Sequence, residues 1–351
     1  MTSVSPNRGS FWQTAVVVAF SIALLLWFLR GINAHELGRA LANAHPGFIA
    51  AAVVVTLQTY TFRAWRWQAL LAPIGGASFR NAFRITVIGF TASNLLPGRL
   101  GEVLRPYLIS RAEPVSAPAA FATILIERML DMACVMLLFG VFLLTSTLDV
   151  GRDVKVAGLI AALVAIAGLA GLVFGARRPD TLRRWADVAA GWMPARLAAV
   201  ARGFAHTLVE GLAVMRHPRH LLTAAVMSLC LWLSIALGIW LASAAFDLTM
   251  AFPSTFLIMM YLVVGVAVPV PAGVGSFHFM YQLAATTVLG AGRAQAAAAA
   301  IALHAVSFVP ISLLGLAFMA QDGWTLARLR GVEPDGGPEA QRSPKAERRK
   351  L

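Results

Sequence analysis

Long apolar runs almost free of charge limit what this chain can fold into: they lie near 12–29, 47–64, 118–147, 155–175, 221–246 and 295–320. Each approaches the ~20 residues that a helix needs to cross a bilayer core. In lipid an open chain satisfies its own backbone only as a helix, so the fold class is all-α and polytopic. Composition agrees. Of 351 residues 59% are hydrophobic and 13% charged, where a soluble domain carries roughly a quarter charged residues.

The net charge of +13 raises nucleic acid as a partner. The Arg residues do not form one recognition patch, however. They stand at the ends of apolar runs and in one connecting segment, as the positive-inside rule requires, so no nucleic-acid partner is expected. Cys134 and Cys230 lie in apolar runs and read as small buried hydrophobes rather than a disulfide. Arg8 precedes the first run and Arg30 follows it without a small-residue cleavage site, so this run reads as a retained span.

Arg177, Arg178, Arg183, Arg184, Arg196, Arg202, Arg216 and Arg219 crowd the segment 176–220 and mark it as cytoplasmic. The turn at 148–155 is charge-balanced and the turn near Asp247 has no basic residue, so both suit the outer side. Counting back from these places Arg63, Arg66, Arg80, Arg84, Arg111 and the N-terminus (1–11) inside. The basic tail 331–351 reads as a disordered cytoplasmic end. The expected setting is a bacterial inner membrane, with a single transmembrane domain over 12–330.

Two apolar stretches resist reading as simple spans. One, 82–110, is interrupted at Leu95-Leu96-Pro97-Gly98-Arg99-Leu100-Gly101; the other, 251–290, at Pro269-Val270-Pro271-Ala272-Gly273-Val274-Gly275. Proline removes a backbone donor and glycine loosens the helix, so both helices should break there. Parity makes the first a re-entrant hairpin entering from inside. The second is a hairpin entering from outside or two tilted spans; an ordinary kinked span is the plainer alternative for each. The resulting expectation is about six full spans plus two broken or re-entrant hairpins in inverted arrangement. Interrupted segments in corresponding halves mark a transport site near the bilayer midplane.

Between 179 and 217 the chain is neither span nor plain loop. Leu197, Val200, Phe204, Leu208, Leu212 and Met215 recur every three or four residues, and Trp185 and Trp192 add interfacial aromatics. With its basic face, such a connector lies in the headgroup plane and attracts anionic lipid. An anchoring helix with no substrate role is the plainer reading.

Charge inside a span requires a partner or a wet cavity. Arg99, Glu102 and Arg105 follow the first break, with Asn94 just before it. Glu102 and Arg105 are three apart and share a helix face. Arg99 projects where an anionic headgroup can approach a half-helix N-terminus. Glu127, Arg128 and Asp131 follow in the next span, where Glu127 and Asp131 share a face and Arg128 can reach Asp131. These charges read as a network that holds the hairpin, serves a substrate, or both. In the second half the polar groups are Ser276, His278, Tyr281, Gln282 and His304. Two imidazoles on neighbouring elements pack or titrate. No metal is expected, because no Cys/His/Asp cluster has ligand spacing, and no cofactor is expected either.

The stretches Asn94–Arg105, Glu127-Arg128-Met129-Leu130-Asp131 and Pro269–Gly275 resemble the lysylphosphatidylglycerol synthase transmembrane region, the flippase-like family. Arg63-Ala64-Trp65-Arg66-Trp67 is similar to the Arg-rich end of that family's second span. The resemblance covers roughly 12–325 and implies a membrane domain that translocates a polar lipid. Family members that make an aminoacylated phospholipid carry a fused soluble transferase. After Leu329 this sequence offers only a short polar tail, so aminoacyl transfer by the chain alone is not expected. His278 stands where the family usually has an acid, and His304 where it often has Arg; both imply a different headgroup. Standalone relatives point to hopanoid or glycolipid metabolism and a separate lipid-modifying enzyme as partner. The expected function is therefore translocation or binding of a phospho- or glycolipid. The alternatives are a membrane enzyme using Glu102, Glu127 and Asp131 as acid–base groups, and an accessory subunit that recruits a synthase.

Overall fold

The computed structural model describes residues 8–96, 101–146, 151–194, 197–199, 203, 216–268 and 270–322, and all regular structure among them is helical. In chain order the helices are α1 (Arg8–Leu29), α2 (Ala34–Ala42), α3 (Pro46–Leu71), α4 (Phe79–Leu95), α5 (Gly101–Ala112), α6 (Ala117–Thr145), α7 (Arg152–Arg177), α8 (Pro179–Gly191), α9 (Pro218–Ala244), α10 (Ser254–Ala267), α11 (Ser276–Val288) and α12 (Arg293–Gln321). Local chemistry sets several starts. Asn33 accepts from the His35 and Glu36 amides to cap α2, and Ser116 accepts from the Ala119 amide to cap α6. Pro46 and Pro218 open α3 and α9, where the missing N–H would have no partner anyway.

Four helices among the described residues are long and apolar enough to cross a membrane: Pro46–Ile74, Ala117–Thr145, Pro218–Ala244 and Arg293–Gln321. At 1.5 Å per residue they are roughly 40–44 Å long, more than the ~30 Å apolar core. The sequence suggests six spans. Among the described residues the other two, in α1 and α7, contribute shorter apolar stretches, Ala19–Leu29 and Gly158–Gly168. The structure thus supports four of the six.

Both expected interruptions separate helices. Helix α4 ends at Leu95, Leu96 turns extended, and α5 begins at Gly101. Helix α10 ends at Ala267 and α11 begins at Ser276, with Ala272, Gly273 and Gly275 all at positive φ between them. Rises of about 25, 18, 21 and 20 Å follow for α4, α5, α10 and α11, each short of a full crossing. Gly101 fixes how the first pair folds back, because a Cβ there would run into the Gly89 carbonyl and the Ser93 hydroxyl. Gly275, at φ +87, combines a left-handed turn with close approach to Leu24 of α1.

Helices α3 and α9 pack antiparallel. The His45 amide, just before α3, donates to the Ala245 carbonyl at 2.8 Å, while Arg66 near the other end reaches Ser228. This axis relates two sets of four helices, α3–α6 and α9–α12. Within the sets, α3–α4, α4–α5, α5–α6 and α3–α6 contacts match α9–α10, α10–α11, α11–α12 and α9–α12. Across them, α4–α12 matches α10–α6, and α3–α12 matches α9–α6. Exchanging the sets maps these pairings onto themselves.

Helix α12 ties the two breaks together. Its Ile311 carbonyl accepts from Thr91 at 3.1 Å and its Ser312 hydroxyl from Asn94 at 3.3 Å, both on α4. His304 lies 2.9 Å from the Ala272 carbonyl in the second break. Ala296–Ala300 are wholly buried, and such small residues let membrane helices approach closely.

Candidate functional site

Two carboxylates on one face of α6 organise the polar interior. Glu127 and Asp131 lie four residues apart, and both are buried. Helix α6 is about 43 Å long, which puts them roughly 15 and 21 Å from its start, in its middle third. Arg105 of α5 meets Glu127 with both arms of its guanidinium, at 2.8 and 3.3 Å. This bidentate geometry gives the strongest ion pair a carboxylate makes. Arg66 of α3 stands between the acids, with Nε 3.6 Å from Glu127 and Nη1 bonded to Asp131 and, at 3.2 Å, to the Ser228 hydroxyl.

Aromatic side chains enclose the pairs. Trp67 donates its indole N–H to the Thr123 hydroxyl at 3.0 Å, and its ring lies 4.2 Å from the Arg105 guanidinium. Trp232 of α9 donates to Asp131 at 3.0 Å. Asp131 therefore accepts from Trp232 and Arg66 and forms an ion pair with Arg128 at 3.3 Å. Arg128 continues outward to Glu102 at 3.9 Å, where the two side chains are 36% and 39% exposed. Inside, two guanidiniums match two carboxylates; at the rim sits one looser, accessible pair.

A separate polar group forms at the second break. The His278 Nδ1 accepts from the Gly275 amide at 3.3 Å, and the Ser276 hydroxyl donates to the Gly265 carbonyl at 2.7 Å. The imidazoles of His278 and His304 face each other with centroids 4.5 Å apart and planes inclined by 33°. Phe28, Phe277 and Phe308 surround them. These polar atoms bond to the backbone of the break, so the pair holds its unusual conformation.

At the edge of the bundle, beyond the spans, Glu113 accepts from the Ser78 amide, the Ser78 hydroxyl and the Asn81 side chain at 2.8–2.9 Å. The Ser78 amide chiefly, with the two side-chain donors, holds its carboxyl below the usual carboxylate range.

Of the residues singled out in the sequence, Glu102, Arg105, Glu127, Arg128 and Asp131 converge. Ser276, His278 and His304 converge apart from them, and Asn94 joins α12 instead. Arg99 lies outside the described residues, as do Val200, Phe204, Leu208, Leu212 and Met215 of the connector stripe. Arg105 pairs with Glu127 on the next helix rather than with Glu102 on its own. Arg66, which the charge count assigns to the cytoplasmic side, is instead buried among the acids. Trp67, Ser228 and Trp232 are further members that sequence reading passes over. The spacing of Arg63, Arg66 and Trp67 on one face of α3 is the signal that points to Arg66 and Trp67; Ser228 and Trp232 carry none.

The lysylphosphatidylglycerol synthase transmembrane-region model matches residues 12–315. Among curated proteins, a UPF0104 membrane protein of Methanocaldococcus jannaschii is 25% identical over 135 residues, 38% of this chain and 40% of that protein. A UPF0104 membrane protein of Methanothermobacter thermautotrophicus is 26% identical over 160 residues, 43% of this chain and 46% of that one. Glycosyltransferase AglD of Haloferax volcanii is 24% identical over 139 residues, 39% of this chain and 22% of that enzyme. The matched stretch spans less than half of each relative.

Proposed function

The chain belongs to the lysylphosphatidylglycerol synthase transmembrane family, and from that premise we propose that it moves a polar phospho- or glycolipid across an inner membrane. The observation that carries this reading is the buried ionic cluster of Arg66, Arg105, Glu127 and Asp131 beside the first helix break. Fixed, mutually matched charges replace the water that a headgroup must give up in a bilayer core. Opposed broken helices supply the opening. In this reading the α4–α5 hairpin enters from the cytoplasmic side and the α10–α11 hairpin from the outer side, with both termini cytoplasmic. Helix α12 serves both as the surface they move against.

The residues take different parts. Arg105 is committed to Glu127 and Arg66 to both acids, so they set the field. Arg128 and Glu102, half-exposed, meet the headgroup at the entrance, together with Arg99 and Asn94. Ser276, His278 and His304 line the way at the other break. The basic connector holds anionic lipid, and a separate enzyme supplies the modified lipid.

Liposomes carrying the purified chain and a panel of headgroup-labelled lipids test this. Faster exchange between leaflets for at least one lipid is expected, and its loss in Glu127→Ala. Folded protein that accelerates none would end the reading.

One comparison favours a second reading. The match to an enzyme named as a glycosyltransferase fits an accessory role beside a glycolipid-modifying enzyme. That role predicts that Glu127→Ala leaves function intact wherever the protein still folds.

A further inference from the structure

The charges of the first half do not balance. Arg63, Arg66, Arg105 and Arg128 bring four guanidiniums, whereas Glu102, Glu127 and Asp131 bring three carboxylates. Arg63 is the unmatched group. It lies on α3 one turn from Arg66 toward the middle of the helix, about 25 Å from the start of α3 and 12 Å from its end. Its guanidinium sits 4.5 Å from the Phe90 ring centroid and 5.6 Å from that of Tyr60, and the Arg105 guanidinium lies 5.9 Å from the same Phe90 ring. Arg63 thus adjoins the cluster while forming no ion pair or hydrogen bond with any described residue.

Its surroundings define what is missing. The side chain is half-buried, and its Nε is buried without an acceptor. Neither of its terminal amino groups is among the buried atoms without a partner. Two aromatic rings lie against the guanidinium without using its N–H donors. A cation well inside a span, packed against two rings and with no acceptor among the described residues, is the receptor half of a bidentate Arg–phosphate contact.

We propose that Arg63 binds the phosphate of the cargo, and hence that the lipid recognised here is a phosphodiester with net negative charge. This rests on the translocation reading for the ligand's being a lipid. The anion site itself stands on the geometry of Arg63, Phe90 and Tyr60.

The full chain in neutral detergent is titrated with dioctanoyl phosphatidylglycerol, dioctanoylglycerol and inorganic phosphate, with binding followed by tryptophan fluorescence. The phosphatidylglycerol should bind saturably. Arg63→Gln should weaken it at least tenfold, Arg63→Lys should fall between, and the exposed-site control Arg80→Gln should match wild type. Dioctanoylglycerol should bind alike to all four. Inorganic phosphate binding as tightly as the lipid, and lost in Arg63→Gln, would assign the anion site to free phosphate and overturn the lipid assignment. Equal phosphatidylglycerol binding by wild type and an Arg63→Gln variant of unchanged helical content overturns the proposal, as does a folded wild type that binds neither anion. Leaflet exchange of labelled lipids in vesicles separates the two ideas. Exchange that persists while Arg63 proves irrelevant sinks this inference alone; Arg63-dependent binding without any exchange sinks the translocation reading alone.

Discussion

Glu127 accepts from Arg105 with both carboxylate oxygens, and Arg66 stands beside it. Removing its charge leaves two buried guanidiniums short of one partner. Breaking a buried pair from one side is expected to destabilise by roughly 3–5 kcal/mol, whereas removing both sides is far milder. Glu127→Gln should therefore unfold at a clearly lower temperature in detergent, and Arg105→Gln combined with Glu127→Gln should recover much of the loss. Equal destabilisation by the single and double variants would contradict the pairing. The acids were legible in the sequence because Glu127 and Asp131, four apart in an apolar run, have no solvent to turn to. Arg66 was not, because an Arg near the end of a span is what the positive-inside rule assigns to a loop. Its burial depends on acids 61 and 65 residues away, a relation that no local pattern carries.

Among the elements, the first hairpin depends on two glycines in contact. A methyl at Gly101 meets the Gly89 carbonyl and Ser93, both on α4, so α5 must move away, and Arg105 with it. Gly101→Ala should lose the bidentate bond to Glu127 and be less stable by about 1–3 kcal/mol, the usual range for overpacking. Gly140→Ala, with nothing near its methyl, should be neutral or slightly stabilising through helix propensity. Thermal unfolding of the two variants side by side checks both. The breaks themselves were legible, since Pro97-Gly98 and Pro271-Ala272-Gly273 each join a residue that removes a backbone donor to one that loosens the helix. Of the six spans expected, four are matched among the described residues by α3, α6, α9 and α12, while the described apolar stretches of α1 and α7 are shorter.

The molecule as a whole is built around the antiparallel α3–α9 pair, with a broken helix on each side. If the hairpins move against a fixed axis, cross-links will separate the parts. With Cys134 and Cys230 replaced by alanine, a short thiol cross-link between His45→Cys and Ala245→Cys, where the backbones already bond at 2.8 Å, should leave lipid exchange intact. One between Asn94→Cys and Ser312→Cys, joining α4 to α12, should stop it until a reductant cleaves the linking disulfide. Exchange unaffected by the second link would show that this hairpin does not move. Sequence offered the two interruptions but not the pairing of helices around them, which depends on contacts between residues a hundred or more positions apart.

The matched pairings of α3–α6 and α9–α12 carry a consequence for energetics. When two halves of opposite direction make equivalent contacts, any tilt open to one has a counterpart in the other. Two such shapes need no separate evolution and start nearly level in free energy. Whatever favours one over the other must come from where the halves differ: ions around α6 on one side, a facing pair of imidazoles on the other.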